Sequence, residues 1–455
     1  RSLISCVMHQ CLAWVVVDRG VGLIAAKAIP VRLGKSRYCL ALLGDCKHHI
    51  FTSSLTSSVD PVLRRSLRTV MACCIGRGGA ETLLPNGQDS AFDRQVLAAF
   101  NRLLDQGGVI RTSPSLIRRK QVEGSLGLVA QFSSEHYLKK RKPDESPRDD
   151  EQGVVVDSVD PAAFNFAKAK DEEVICELEA FDADPSLGSM RTTVLTNISP
   201  LASGHILLVP QRDSLRPQVL TQDLLLGGLH LLMKSGRKDF RLMFNSRQAF
   251  SSVNHFHFHG FYLNYCGLTK PRLPIECVKR SVIAGNLKEG HVQIEILSRS
   301  WYVPGFVVSA GPPVGVKGEQ PKADLTSLAN TTFRVIKELQ SRNIAHSVVL
   351  APPVGERRNR KEANEGMANE AAGQEESPVL TPEVLIVPRK FEGDVRSTAG
   401  FNAAVMEVSG IIIAHNEETY DSLNEDEIQE IFQQDVALPD PLLEELICKV
   451  AWMPA

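Results

Sequence analysis

Three histidines in strict alternation, His255, His257 and His259, stand in the run Val253-Asn-His-Phe-His-Phe-His-Gly-Phe-Tyr-Leu263. Side chains alternate between the faces of a strand, so a strand over 253–263 puts the three imidazoles on one face, roughly 7 Å apart, and Phe256 and Phe258 on the other. Such a row suits metal ligation, a proton relay, or a nucleophile flanked by helpers. Zinc takes three or four N, S or O ligands. No Cys, Asp or Glu stands in this run, so further ligands have to come from the distant His205, His230 or His346. A nucleophile that attacks phosphorus needs donors around the phosphate oxygens. Imidazole suits that task because one nitrogen attacks while the other donates to a carbonyl or carboxylate, which fixes the tautomer. Ser251, Ser252, Asn245 and Asn254 offer hydroxyl and amide donors beside the row, although each of them alone also fits a turn or a strand end.

The row needs a sheet to hold it. Residues 192–198, the turn Ser199-Pro200-Leu-Ala-Ser-Gly204, and residues 205–209 closed by Pro210 predict a strand, turn, strand unit. A helix over 220–233 starts at Thr221 and stops near Gly236, and strands over 240–245 and 253–263 follow. Strands interrupted by a single helix in this order favour an α+β fold, an antiparallel sheet flanked by helices. Further strands are predicted over 291–297, 306–310 and 346–350, with a helix capped by Asp324 running through Leu339. Val384-Leu-Ile-Val-Pro388 echoes Ile206-Leu-Leu-Val-Pro210, as a degenerate, duplicated second half would. Acidic, helix-rich sequence over 424–450 closes the chain.

Regular structure is expected to begin at Ser90. Ser90 and Asp93 form a capping box, Val96, Ala99, Phe100, Leu103 and Leu104 make a helical apolar stripe, and Gly107-Gly108 stops it. Residues 1–88 show no sustained period and read as a poorly ordered extension without an assigned role. Residues 139–152 are almost wholly polar and read as a linker or surface loop. Residues 355–377, charged and without apolar period, read as a disordered insertion. The expected organisation is thus an extension 1–88, a catalytic part 89–310 with its core at 191–263, and a C-terminal α+β part 311–455.

At 455 residues the chain can bury a sizeable core, and 43% hydrophobic with 23% charged residues describes an ordinary globular protein. A net charge of −2 provides no basic field for nucleic acid or an anionic membrane, so phosphate recognition has to be local. The apolar stretch from Cys11 is broken by Asp18 and Arg19, short of the roughly 20 residues a membrane span requires. No clean secretory signal appears. The first residue is Arg1 rather than Met, as in a fragment or a processed form. Six of the ten cysteines fall within the first 74 residues in no zinc or redox spacing, and the pattern reads as reduced thiols in the cytosol.

The succession Asn197-Ile-Ser-Pro-Leu-Ala-Ser-Gly204-His205-Ile-Leu-Leu-Val-Pro210, then Phe244-Asn245-Ser246, then Ser252 to Leu263, resembles the histidine-triad superfamily. Within it the chain is most like the animal GDP-D-glucose phosphorylases, relatives of plant GDP-L-galactose phosphorylase and galactose-1-phosphate uridylyltransferase. Phe164-Asn-Phe-Ala-Lys168, Ile344-Ala-His346 and Gly400-Phe-Asn-Ala-Ala404 support the likeness, which runs from about Leu126 to Leu446. The resemblance implies a two-step exchange. His257 attacks the α-phosphorus of a GDP-hexose and expels hexose 1-phosphate, and inorganic phosphate then releases GDP from the GMP-imidazole. His255 and His259 would flank the nucleophile; His205, Asn245, Ser251, Ser252 and Asn254 would shape the nucleotide site. No organic cofactor is implied, and no metal for the covalent step. Superfamily members often pair, so a homodimer is the implied assembly.

Two features depart from the superfamily or distinguish the chain within it. Ser251 stands where superfamily members often carry Gln, which leaves one phosphate contact open. His259 stands where the plant enzymes carry Gln, which favours GDP-glucose over GDP-galactose. A hydrolase using water, or a zinc-binding or non-catalytic nucleotide binder, are the alternatives.

Overall fold

The computed structural model describes residues 89–139, 153–155, 158–181, 188–285, 292–310, 325–353 and 382–452, together with four short strands nearer the start. The chain divides into two compact units, Arg1–Glu81 and Thr82–Ala455. In the first, β1 (Ile4–Val7) pairs antiparallel with β2 (Leu12–Val15), and β3 (Lys27–Leu33) with β4 (Ser36–Leu42). These local ladders form where no sustained strand period is visible. The expectation of poor order over the remainder of 1–88, most of the polar stretch 139–152, and the insertion 355–377 all lie outside the described residues.

The second unit opens with α1 (Ala91–Gln106). Ser90 accepts from the Asp93 amide, Asp93 accepts from the Ser90 amide, and Gly107 ends the helix at φ 68. The cap does more than start a helix. Asp93 is fully buried, and its carboxylate also accepts from Ser235 Oγ at 2.7 Å, the Gly236 amide at 2.9 Å and Tyr262 Oη at 3.1 Å. One side chain therefore ties the first helix to the C-terminal end of the histidine-bearing strand.

A small sheet follows: β5 (Arg118–Gln121) pairs antiparallel with β6 (Val129–Phe132), which is joined in parallel by the late strand β17 (Ile411–Ala414). After the short α2 (His136–Lys139) come β7 (Val174–Glu179), β8 (Arg191–Thr196), β9 (Ile206–Pro210), α3 (Gln222–Leu232), β10 (Phe240–Asn245) and β11 (Phe258–Tyr262). The second half runs β12 (Arg280–Gly285), β13 (Val292–Leu297), β14 (Phe306–Ala310), α4 (Leu325–Ser341), β15 (Ala345–Ala351) and β16 (Glu383–Arg389). The short α5 (Val405–Val408) precedes β17. Then α6 (Glu417–Ser422), α7 (Glu425–Ile431) and α8 (Asp440–Ala451) close the chain.

Strands β7 to β16 form one ten-stranded sheet of order β12-β13-β14-β16-β15-β10-β11-β9-β8-β7, antiparallel throughout. The order is a palindrome about the β15–β10 pair. Three strands, a helix and two strands in the first half are matched element for element in the second, so the fold is α+β with a duplicated plan. The sequence echo pointed to the wrong pair of strands, however. Ile206–Pro210 is β9, whose counterpart is β14; Val384–Pro388 lies in β16, whose counterpart is β11. Both are buried apolar strands with a proline at or next to their end, which is enough to make them look alike.

The alternation of strand residues divides the core in two. Phe240, Leu242, Phe244, Phe256 and Phe258 join α1, α3, α4 and α8 on one face of the sheet. Met243, Phe261, Val349 and Leu385 join β6, β17 and α5 to α7 on the other. Phe256 and Phe258 are fully buried, edge-on to one another at 5.0 Å and packed against Phe244. Burial of each stabilises the fold by about 2–3 kcal/mol, and fixes which way the neighbouring histidines face.

Candidate active site

The expected strand over 253–263 is shorter in the structure. Only Phe258–Tyr262 is strand, paired with β9 and β10. Residues 255–257 precede the ladder and are held by the loop before α3: the Phe256 amide donates to the Arg216 carbonyl at 2.7 Å, and the His257 amide to Gln218 Oε1 at 2.9 Å. The reason is local. With Pro217 in it, the 216–218 loop occupies the edge that a continuing strand would need, and a side chain replaces a ladder partner. The alternation survives nonetheless, with both phenylalanines in the helix-covered core and the imidazoles on the opposite side.

A cavity of about 190 Å³ opens on that side. His257, His259, His205, Asn245, Ser251 and Ser252 all line it, with Phe164, Phe166, Asn197 and Phe250. His255 and Asn254 do not. His255 is buried behind Phe166, whose amide donates to its Nδ1 at 2.9 Å. Asn254 accepts from the Gln218 amide at 3.0 Å and donates to the Ser158 carbonyl at 2.8 Å. Among the described lining residues the acids are Glu173 and Glu407, and none is Lys or Arg.

The hydrogen bonds settle the tautomers. His257 Nδ1 lies 2.8 Å from the His255 carbonyl, which can only accept, so Nδ1 carries the proton and Nε2 keeps its lone pair. Phe166 packs on the His257 ring with centroids 4.8 Å apart, and Arg212 holds the Phe166 loop by donating to the carbonyls of Phe166, Ala167 and Ala169. His205 Nδ1 accepts from the Leu201 amide at 3.1 Å, which in the neutral ring puts the proton on Nε2; that nitrogen lies 3.0 Å from His259 Nδ1 and 3.2 Å from Asn197 Nδ2. His259 accepts there and carries its own proton on Nε2, a donor suited to a phosphate oxygen. Gly204 turns the chain into His205 at φ 71, and a Cβ there would come within 2.9 Å of Leu97 and Tyr262.

Burial keeps the imidazoles neutral. It lowers His257 to about 4, against the opposing pull of the His255 carbonyl, and lowers His255 to about 4 with help from neighbouring His257. His205 is pushed well below the ordinary range by burial and by His259, His136 and His257, and His259 by burial and by His257. A neutral imidazole with a lone pair facing a cavity is a nucleophile at neutral pH. Among the described residues no group of three or more His, Cys, Asp or Glu is placed to hold a metal ion.

Sequence reasoning missed Gln218. Its Nε2 donates to the carbonyls of Asn245 at 3.0 Å and His257 at 3.3 Å, while its Oε1 takes the His257 amide. It sits in a proline-containing loop with no period and no motif, so nothing in its neighbourhood singles it out. Asn245 turns out to hold a further element as well, accepting from Ser347 Oγ at 2.8 Å and the Val405 amide at 2.9 Å.

Comparison with known proteins bears on this site. Residues 91–261 match the family described as GDPGP1-like, N-terminal domain, and residues 279–451 match GDPGP1-like, C-terminal domain. The GDP-D-glucose phosphorylase 1 of Danio rerio is 27% identical over 392 residues, which cover 86% of this chain and 94% of that one. The GDP-L-galactose phosphorylase 1 of Arabidopsis thaliana is 32% identical over 169 residues, 35% of this chain and 37% of that one. Among solved structures, yeast Ap4A phosphorylase Apa2 superposes with a TM-score of 0.47 at 14% identity, covering 77% of this chain and 96% of that one.

Proposed function

The chain belongs to the GDPGP1-like family, and from that premise we propose that it is a GDP-D-glucose phosphorylase, a nucleotidyltransferase that acts through His257. The observation that carries the mechanism is the Nδ1 contact to the His255 carbonyl, which leaves Nε2 as the free nucleophilic nitrogen. Nε2 attacks the α-phosphorus of GDP-glucose and forms a P–N bond. The bond from α-phosphorus to the bridging oxygen breaks, and glucose 1-phosphate leaves with that oxygen and the electron pair. The Nδ1 proton stays on the ring, and the His255 carbonyl stabilises the positive imidazolium. An oxygen of inorganic phosphate then attacks the same phosphorus, the P–N bond breaks, and GDP departs from a neutral His257. A phosphate leaving group is a weak base, so the first step needs little help from a general acid.

The remaining residues take supporting roles. His259 donates from Nε2 to an α-phosphate oxygen, and His205 holds it in the tautomer that can do so. Ser252 supplies a further donor, as Ser251 does once its hydroxyl turns from the Val253 carbonyl it meets at 3.2 Å. Asn245 braces the pocket wall through Val405, and His255 holds the nucleophile by its carbonyl. Asn254 acts through Gln218 rather than on the nucleotide. We place the reaction in the cytosol, in keeping with cysteines that fall in no zinc or redox spacing. The test is a product assay with GDP-glucose. Equimolar GDP and glucose 1-phosphate formed only when inorganic phosphate is present supports phosphorolysis. GMP and glucose 1-phosphate formed equally fast without phosphate would make the enzyme a hydrolase.

A further inference from the structure

Glu407 is a buried acid with one oxygen unpaired. It lies on α5, lines the cavity, and is only 2% exposed. Its Oε2 has no hydrogen-bond partner. The cation that acts on it, Arg389, is fully buried and makes no ion pair with it within 4 Å. Arg389 instead donates from Nε to the Lys390 carbonyl at 3.1 Å and lies over the ring of Phe250. Burial raises the Glu407 carboxyl to about 8, against the opposing pull of backbone contacts at Glu407, Ala404 and Ile413 and of Arg389, so the acid holds its proton at neutral pH.

The segment that carries Glu407 is tied to the nucleophile. The Val405 amide donates to Asn245 Oδ1, and Gln218 Nε2 bridges the carbonyls of Asn245 and His257. Phe250, held at φ 66, lines the same cavity and offers it an apolar ring.

We infer that Glu407 reads the nucleobase: on binding, its carboxyl gives up its proton to solvent and the free Oε2 accepts from N1–H and the exocyclic N2 amine of guanine. The inference rests on the proposal that this cavity takes a guanyl nucleotide, and adds the residue that selects the base. The chemistry is specific: the carboxylate oxygen that the backbone leaves free has two lone pairs, and guanine presents two adjacent donors. Hypoxanthine presents one donor, and adenine turns an acceptor, its N1, toward the acid. Leaving a buried carboxylate oxygen unpaired is costly, so the mismatched bases are penalised as well as less well held.

The test compares GDP-glucose, IDP-glucose and ADP-glucose as substrates of wild type and Glu407→Gln, with calorimetric binding of GMP, IMP and AMP to both. The wild type should prefer GDP-glucose to IDP-glucose by at least about tenfold, the worth of one charge-assisted hydrogen bond. Glu407→Gln should lose that preference and shift toward ADP-glucose, because an amide matches the donor and acceptor of adenine. A variant that retains the guanine preference overturns the inference, and so does a wild type that binds IMP as tightly as GMP, a result independent of any variant. If the wild type binds GMP over IMP but phosphorolyses no GDP-glucose, the proposed reaction fails and the base-reading role stands.

Discussion

His257 donates its Nδ1 proton to the main-chain carbonyl of His255, two residues earlier, at 2.8 Å. A backbone carbonyl cannot titrate or rotate away, so the tautomer is written into the chain path rather than borrowed from a neighbouring acid. The path itself depends on Gln218, which accepts from the His257 amide and donates to its carbonyl. His346 repeats the arrangement, its Nδ1 on the Ile344 carbonyl at 3.0 Å, but lies fully buried in β15 and outside the cavity lining.

Replacing Gln218 by Ala should therefore lower kcat by roughly 10- to 100-fold with little change in KM, because the nucleophile is displaced while the nucleotide contacts remain. The same substitution leaves buried amide and carbonyl groups unsatisfied and should cost about 1–3 kcal/mol in chemical denaturation. A variant with kcat within about twofold of wild type would remove Gln218 from the account.

Acid should destabilise the fold well before the carboxylates titrate. An unfolded imidazole takes a proton near pH 6.5, whereas His255, His257 and His346 resist until about pH 4 and His205 and His259 until well below 6.5. Between these limits the unfolded chain binds more protons, so stability falls as pH falls, by up to about 1.4 kcal/mol per pH unit for each histidine. Glu407, raised to about 8, works in the opposite direction, one group against five. Denaturant midpoints measured from about pH 7 to pH 5 should drop steadily; a flat profile over that range would mean that these imidazoles are not buried and neutral.

Much of this was legible in the sequence because it obeys periodic rules. The capping box of Ser90 and Asp93, the strand Phe240–Asn245, the turn into His205 and the split between Phe256 with Phe258 and the histidines all follow from spacing and side-chain type. What escaped obeys no period. The triad strand is cut short by a loop from another part of the chain, Gln218 acts through three hydrogen bonds that tertiary contact alone creates, and Glu407 reaches the cavity from 150 residues beyond the nucleophile. The duplication was suspected from an echo between strands that are not equivalent, and only the palindromic sheet order identifies the matching ones.

The central claim is a covalent guanylyl group on His257, and intact-mass measurement tests it most directly. Enzyme mixed with GDP-glucose in phosphate-free buffer and quenched in mild alkali, which spares a phosphoramidate, should gain the mass of one guanylyl group, GMP less water. The adduct should map to His257, disappear with release of GDP when phosphate is added, and be absent from His257→Ala, which should fold as the wild type does. Steady phosphorolysis by an enzyme that never acquires the adduct, or by His257→Ala at a rate within about tenfold of wild type, would contradict it.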